Sequence, residues 1–322
     1  MTKANTLMFP LALLTLAGCT GKAVDTSDTD PGHGDDSDSA PLDDTAGCVA
    51  GVLSTEPADG ATDVYYHDTI TVSFDGDGGA AVFALTDPDG TAVPVSATWT
   101  DGNVQAILTA SLAPLTEYTL NTTVCGNSAS SSFTTSDLGT PLTVDPSELV
   151  GSTYVFRLSD ADITEPAFLG IIAGTYLTVP ILIGGLGYEQ DAGYVQEPGL
   201  PTWDFPVASF TDQPYFEAAS SLITIMYGTT PIPISDFTLS GTFRSDGSAI
   251  EHGIATGTGD SRYMAELVGK PADEYSAVCD LAASAGVVCT ECPTDGEPYC
   301  LYIVAESINA TKVDGLTMDV IE

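Results

Sequence analysis

The sequence predicts a mainly β protein: an immunoglobulin-like sandwich followed by a second β-rich domain, barrel or sandwich, with a small helical insert. Three observations carry this. Short runs alternate apolar and polar residues with a period of two, as in Ile70, Val72 and Phe74 against Thr71 and Ser73. Turn dipeptides punctuate them at regular spacing: Asp59-Gly60, Asp75-Gly76, Asp89-Gly90, Asp101-Gly102 and Gly126-Asn127. Hydrophobic residues make up 43% of the chain, enough apolar surface to bury a core.

The chain begins with an export pattern. Lys3 precedes an apolar run from Leu7 to Ala17, about half the length a membrane-spanning helix needs. The run ends in Leu16-Ala17-Gly18-Cys19, which resembles a bacterial lipobox; the resemblance implies a signal peptide over 1–18 and acylation of Cys19. Acyl chains on one cysteine anchor by burying CH₂ groups at about 0.8 kcal/mol each. The expected partner is therefore a membrane, reached through Cys19. Thr20 in place of Asp after the cysteine implies the outer membrane, in a bacterial cell envelope.

Residues 19–47 read as the lipidated cysteine and a tether. Thr20–Gly47 holds eight Asp, many Ser and Thr and almost nothing apolar, so it cannot bury enough surface to fold. Asp28, Asp30, Asp35, Asp36 and Asp38 raise calcium as the one cofactor to weigh, but no EF-hand register fits them, and no cofactor is expected. Charge narrows the partners further. Lys plus Arg total 7 against 45 Asp plus Glu, a net charge of −38. Such a polyanion repels phosphate backbones, so nucleic acid is excluded, whereas a protein or glycan partner is not.

Seven cysteines leave one over in an exported protein. Assigning Cys19 to lipid leaves six, which in an oxidising compartment read as disulfides: Cys48 with Cys125, and Cys279, Cys289, Cys292 and Cys300 among themselves. Local pairing, Cys279–Cys289 with Cys292–Cys300, is favoured by the chain bends at Pro293, Asp295-Gly296 and Pro298. Cys279–Cys292 with Cys289–Cys300 is the next choice. A strained Cys289–Cys292 redox bridge and a four-thiolate zinc site are the rival chemistries.

From Cys48 to Asp137 the strands and turns suggest an immunoglobulin-like sandwich. The segment resembles the SbsA-type bacterial Ig-like domain through Pro57-Ala58-Asp59-Gly60-Ala61 leading to Val64, then Ile70-Thr71-Val72-Ser73-Phe74 and Phe83-Ala84-Leu85-Thr86-Asp87. The likeness continues in Leu112-Ala113-Pro114-Leu115-Thr116-Glu117-Tyr118 and closes with Phe133-Thr134-Thr135. It implies a spacer or adhesion module without catalytic residues. Asp75-Gly76-Asp77-Gly78, where that family often has Ser-Glu-Pro, is a departure. His67 beside Asp68 reads as a polar surface histidine.

Residues 138–150 read as a linker, and 151–322 as a β-rich domain of no recognised family. Strands are expected at Thr153–Leu158, Tyr176–Ile183, Ser221–Tyr227, Phe237–Arg244, Ile254–Gly257 and Tyr299–Ala305. A short helix is expected after Asp260 or Ser261, ending before Gly269, and a second over Ala272–Ala285 with Tyr275, Val278, Cys279 and Ala282 on one face. Pro166–Tyr188 carries no charge over 23 residues, but five Gly and two Pro favour buried strand-turn-strand over a membrane span.

Catalytic residues are not expected. Ala282-Ala283-Ser284-Ala285-Gly286 is a frayed Gly-x-Ser-x-Gly without a following histidine. His252 beside Glu251 reads as an exposed turn, and Arg157, Arg244 and Arg262 as ion-pair partners rather than an anion clamp. The expected function is a non-enzymatic, lipid-anchored envelope protein whose Ig-like module presents the second domain for adhesion, structure or recognition. The alternatives are a carrier with an apolar cavity near Tyr176, Ile181, Leu222 and Ile225, and, more weakly, an envelope hydrolase.

Overall fold

A computed structural model describes residues 48–157, 160–170, 180–182, 185–190, 193–196, 208–227 and 230–318. The signal, Cys19 and the tether lie outside the described residues, as do Tyr176 and most of Pro166–Tyr188. From Gly47 onward the chain forms one compact unit.

Nine strands build the first module: β1 (Val52–Glu56), β2 (Ala61–Val64), β3 (Ile70–Phe74), β4 (Val82–Thr86), β5 (Ala92–Val93), β6 (Val95–Trp99), β7 (Gln105–Ala110), β8 (Glu117–Val124) and β9 (Asn127–Thr135). They form two sheets, β1-β3-β7-β6 and β2-β9-β8-β4-β5. Only β2 and β9 run parallel, with Ala61 opposite Phe133. The period-two pattern sends Ile70, Val72, Phe74 and Leu108 from one sheet against Leu85, Leu120, Val124 and Phe133 of the other. Cys125 and Gly126 both have positive φ, 53° and 78°, in the two-residue β8–β9 turn. That is the geometry a tight hairpin needs, and glycine reaches it without strain. Cys125 also forms a disulfide with Cys48, tying the start of the module to this hairpin.

The second domain is one curled nine-stranded sheet. Its strands are β10 (Thr153–Arg157), β11 (Asp162–Glu165), β12 (Pro180–Leu182), β13 (Gly185–Gln190), β14 (Gly193–Gln196), β15 (Tyr215–Tyr227), β16 (Thr230–Phe243), β17 (Ala249–Asp260) and, after the helix α1 (Ala277–Ser284), β18 (Cys300–Val313). The order is β14-β13-β12-β10-β18-β17-β16-β15, with β11 also on β18. Among the described strands the order ends at β14 and β15. β12 and β13, which overlap Pro166–Tyr188, pair antiparallel with Ile181 opposite Leu186. Among the described residues no helix is long and apolar enough to cross a membrane, which says nothing of strands.

Several elements are longer than the sequence pattern predicts. β16 starts at Thr230, seven residues before the expected Phe237, through Pro231 and Pro233. The β17 partner register begins only at Ile234, so these prolines sit where one side of the strand is unpaired and their missing N–H costs no ladder bond. β17 hides its periodicity behind glycines. A side chain at Gly257 would meet Ile234 at 2.5 Å, and one at Gly259 would meet Met264 at 2.5 Å, so both positions are held small by close approach.

The helical insert caps one end of the sheet. Asp260 accepts from the Arg262 N–H to start a 3-10 helix, Ser261–Val268, which stops at Gly269 with φ 71°. α1 is shorter than expected: Val278 and Ala282 pack with Met264, Ile232 and Leu301, while Tyr275 precedes the helix and is exposed. Disulfides Cys279–Cys289 and Cys292–Cys300 fasten this lid to β18.

Candidate functional site

The densest set of chemically capable side chains lies where the two β bodies meet. Tyr65, Tyr66, His67 and Asp68 form the turn between β2 and β3, closed by the Asp68 N–H donating to the Tyr65 carbonyl at 3.0 Å. Facing them are Asp212 and Tyr215 at the start of β15, Thr242 on β16 and His252 on β17.

At the centre, the Tyr65 and Thr242 hydroxyls hydrogen-bond at 2.6 Å, with Tyr65 only 4% and Thr242 0% exposed. Burial pushes the Tyr65 phenol well above its ordinary range, so it stays protonated and can donate. The Tyr66 hydroxyl reaches the same threonine at 3.5 Å. Two reciprocal stacks flank this bond: Tyr65 of the first module on His252 of the second at 4.4 Å, and His67 of the first on Tyr215 of the second at 4.4 Å. The Tyr66 ring lies edge-on to His67, and the linker backbone presses on Tyr66, since a side chain at Gly139 would meet that ring at 2.6 Å.

The rim is charged and wet. His67 Nε2 lies 3.8 Å from Asp212 Oδ2. Desolvation lowers the His67 pKa, partly offset by Asp212 and Asp68; desolvation raises that of Asp68, partly offset by His252 and His67. Farther along, Arg244 forms a two-point ion pair with Glu251, at 2.5 and 2.9 Å, and approaches Asp137 at 3.8 Å.

These observations refine the sequence reading of both histidines. His67 is exposed, as the sequence suggests, but its ring also stacks on Tyr215 and meets the edge of Tyr66. His252 is exposed, as expected, but it sits at a bulge of β17 with φ 48° and not in the turn after Ser248, and its neighbour Glu251 pairs with Arg244. Within the linker over 138–150, Leu138 is buried, and Thr143 donates N–H and hydroxyl to the Ser245 carbonyl. The signal that sequence reasoning passed over was the adjacent pair Tyr65-Tyr66 in a loop, two large aromatic rings that solvent rarely keeps.

Elsewhere the residues weighed for chemistry are structural. Cys289 and Cys292 belong to different disulfides, so they form neither a redox pair nor half a zinc site. Asp260, Cys292 and Cys300 cluster within metal-ligand distance. The two sulfurs are bonded to each other and the carboxylate is held by Arg262, however, so no free donor set exists there. Arg262 also pairs with Asp295 and lies over the Tyr299 ring. The Ser284 hydroxyl donates to the Leu281 carbonyl as part of the helix end. Arg157 ends β10.

Residues 50–135 match the family model described as bacterial Ig-like domain. This chain is similar to the solved structure of CopC from Methylosinus trichosporium OB3b, at 16% identity over 27% of this chain and 94% of that one, with a TM-score of 0.25. A second likeness is to the Lin-41 filamin domain, 17% identical over 27% of this chain and 97% of that one, TM-score 0.21. A DUF4784 family protein from Bacteroides caccae ATCC 43185 aligns over 65% of this chain and 48% of its own, at 9% identity and TM-score 0.21. No curated protein matches the sequence.

Proposed function

We propose that this is a non-enzymatic, lipid-anchored protein of the bacterial cell envelope, in which the Ig-like module serves as a fixed pedestal for the curled-sheet domain. One observation carries the reading: the paired stacks and the buried Tyr65–Thr242 bond couple module to domain across their boundary. A swinging spacer has no use for a buried hydroxyl pair and two aromatic stacks at its joint. A pedestal does, because a partner bound to the upper domain then pulls on a rigid body.

The address rests on independent support. An Ig-like domain of bacterial type belongs to proteins outside the cytoplasm, and three disulfides suit an oxidising compartment. Pairing six cysteines leaves Cys19 as the odd one, in the lipobox-like Leu16-Ala17-Gly18-Cys19. The partner recognised is a protein or a glycan; the acidic charge excludes nucleic acid.

Replacing Cys19 with Ser tests the anchor. The expected outcome is loss of incorporated radiolabelled palmitate and release of the protein from the membrane fraction, or its accumulation as an uncleaved precursor. Undiminished palmitate incorporation and membrane association in that variant would remove the lipid anchor from the reading.

A further inference from the structure

The sandwich core contains a gap with unusual lining. On β8 the inward positions run Tyr118, Leu120, Thr122 and Val124, and opposite them on β9 stand Ser131 and Ala129. Threonine and serine thus occupy places where the rest of the core has Leu, Val and Phe. Across from them, Val52, Ser54 and Thr55 of β1 form the other wall, and a cleft of about 140 Å³ remains between. Its polarity continues from floor to mouth. Thr122 is 1% and Ser131 7% exposed, whereas Ser54, Asp59 and Ser130 are open to solvent.

The floor holds an unmet demand. Thr122 Oγ1 is buried and has no hydrogen-bond partner among the described residues. Leaving a buried hydroxyl unpaired costs about 1–3 kcal/mol, so a group that enters and pairs with it is favoured by a comparable amount. An apolar molecule could not meet that demand.

We propose that this cleft binds one neutral polyhydroxylated unit, a pyranose ring or a small polyol. A cavity of roughly 150 Å³ accommodates one six-membered ring. Hydroxyls of Thr122 and Ser131 both donate and accept, which matches a ligand that does the same. Leu120, Val52 and Ala129 offer apolar surface to its C–H faces. Charge selects against acids: no Lys, Arg or His lines the cleft, and Asp59 stands at its mouth with one oxygen already accepting from the Ser132 N–H at 2.8 Å. No aromatic ring lines it either, so affinity is set by hydrogen bonds and falls roughly in the millimolar range. The site lies in the pedestal and does not depend on the anchor.

Saturation-transfer NMR on the full chain tests this with methyl glucopyranoside, glycerol and glucuronate as probes. Saturable transfer to methyl glucopyranoside or glycerol is expected, and at least tenfold weaker binding in Thr122→Val, which keeps the shape and removes the hydroxyl. Preference for the glycoside assigns the site to the end of a glycan, and preference for glycerol to a free polyol. Ser131→Ala, which leaves the Thr122 hydroxyl in place, should weaken binding several-fold. No transfer to either neutral probe overturns the proposal, leaving the cleft merely hydrated. So does transfer unchanged in both variants, or glucuronate binding as well as the neutral glycoside.

Discussion

The two β bodies solve one problem by different means. In the Ig-like module two sheets face each other, and a single continuous cluster of buried residues, from Val72 and Leu108 to Leu120 and Phe133, joins them apart from the cleft at Thr122. The second domain has one sheet that curls on itself, and its buried residues among those described fall into three smaller clusters: one under the helical lid around Val278 and Leu301, one around Tyr154 and Ile250, one around Leu239 and Ile308. A sandwich closes its core by strand packing alone. A curled sheet whose order among the described strands ends at β14 and β15 needs a lid over one end, and the two local disulfides hold that lid in place. Cross-links therefore do different work in the two bodies: one long-range tie in the first, two short clamps in the second.

Removing the cross-links is the strongest way to break this comparison. Cys48–Cys125 spans 77 residues, and on the chain-entropy model such a loop stabilises by about 4–5 kcal/mol; Cys279–Cys289, spanning 10, contributes about 2.7 kcal/mol. The Cys48→Ala/Cys125→Ala variant should accordingly lose more in denaturant titration than Cys279→Ala/Cys289→Ala. The reverse order would mean that the lid clamp also holds native packing, and that the curled sheet depends on it beyond chain entropy.

A smaller effect asks whether the bodies are separate at all. Tyr65→Phe keeps the ring contacts and deletes the hydroxyl, leaving buried Thr242 with only the long 3.5 Å contact to Tyr66, at a cost of about 1–3 kcal/mol. If the joint is rigid, the wild type should unfold in one calorimetric transition and the variant should lower it as a whole or split it in two. Two well-separated transitions already in the wild type would sink the pedestal model.

The same contrast governs what the sequence disclosed. The sandwich was readable because each strand is short, alternates cleanly and ends at a turn dipeptide, so local pattern and fold agree. The curled sheet was legible in existence but not in extent. Pro231 and Pro233 interrupt the apparent start of β16, and Gly253, Gly257 and Gly259 remove the alternation from β17 at the places where neighbours press closest. β11 and β14 are four-residue strands with too few side chains to show a period. The disulfide corner was readable because its cysteines lie close in sequence. The joint was not, since Tyr65 and Thr242 are 177 residues apart and neither loop aromatics nor a strand threonine names its partner.

The subtlest prediction concerns acid, and it sharpens the comparison because the titrating groups sit at the rim of the joint and not within either core. His67 is faced by Asp68 on its own turn, by Asp212 and Tyr215 of the second domain and by Tyr66; Asp68 is faced in turn by His252. Desolvation lowers the folded-state pKa of His67 below its unfolded value of 6.5, so the unfolded chain binds more protons there. The resulting stability is present above pH 6.5 and is lost as pH falls below it. Asp68 has the opposite sign. Its folded-state pKa is raised above 3.8, so the folded chain binds more protons, and lowering the pH through that raised value toward 3.8 favours folding. Exposed carboxylates such as Asp77 and Asp295, whose pKa values are lowered, add an acid loss of their own, so the joint must be isolated by difference. Melting curves at intervals from pH 7.5 to 3.5 should show His67→Phe, which keeps a ring against Tyr215, losing less than the wild type on going below pH 6.5. Asp68→Asn should lack the wild type's relative recovery at the acid end. Parallel curves for all three proteins would show that the rim is too well hydrated to couple protonation to the joint, and would leave the buried Tyr65–Thr242 bond and its flanking stacks as the whole of the connection.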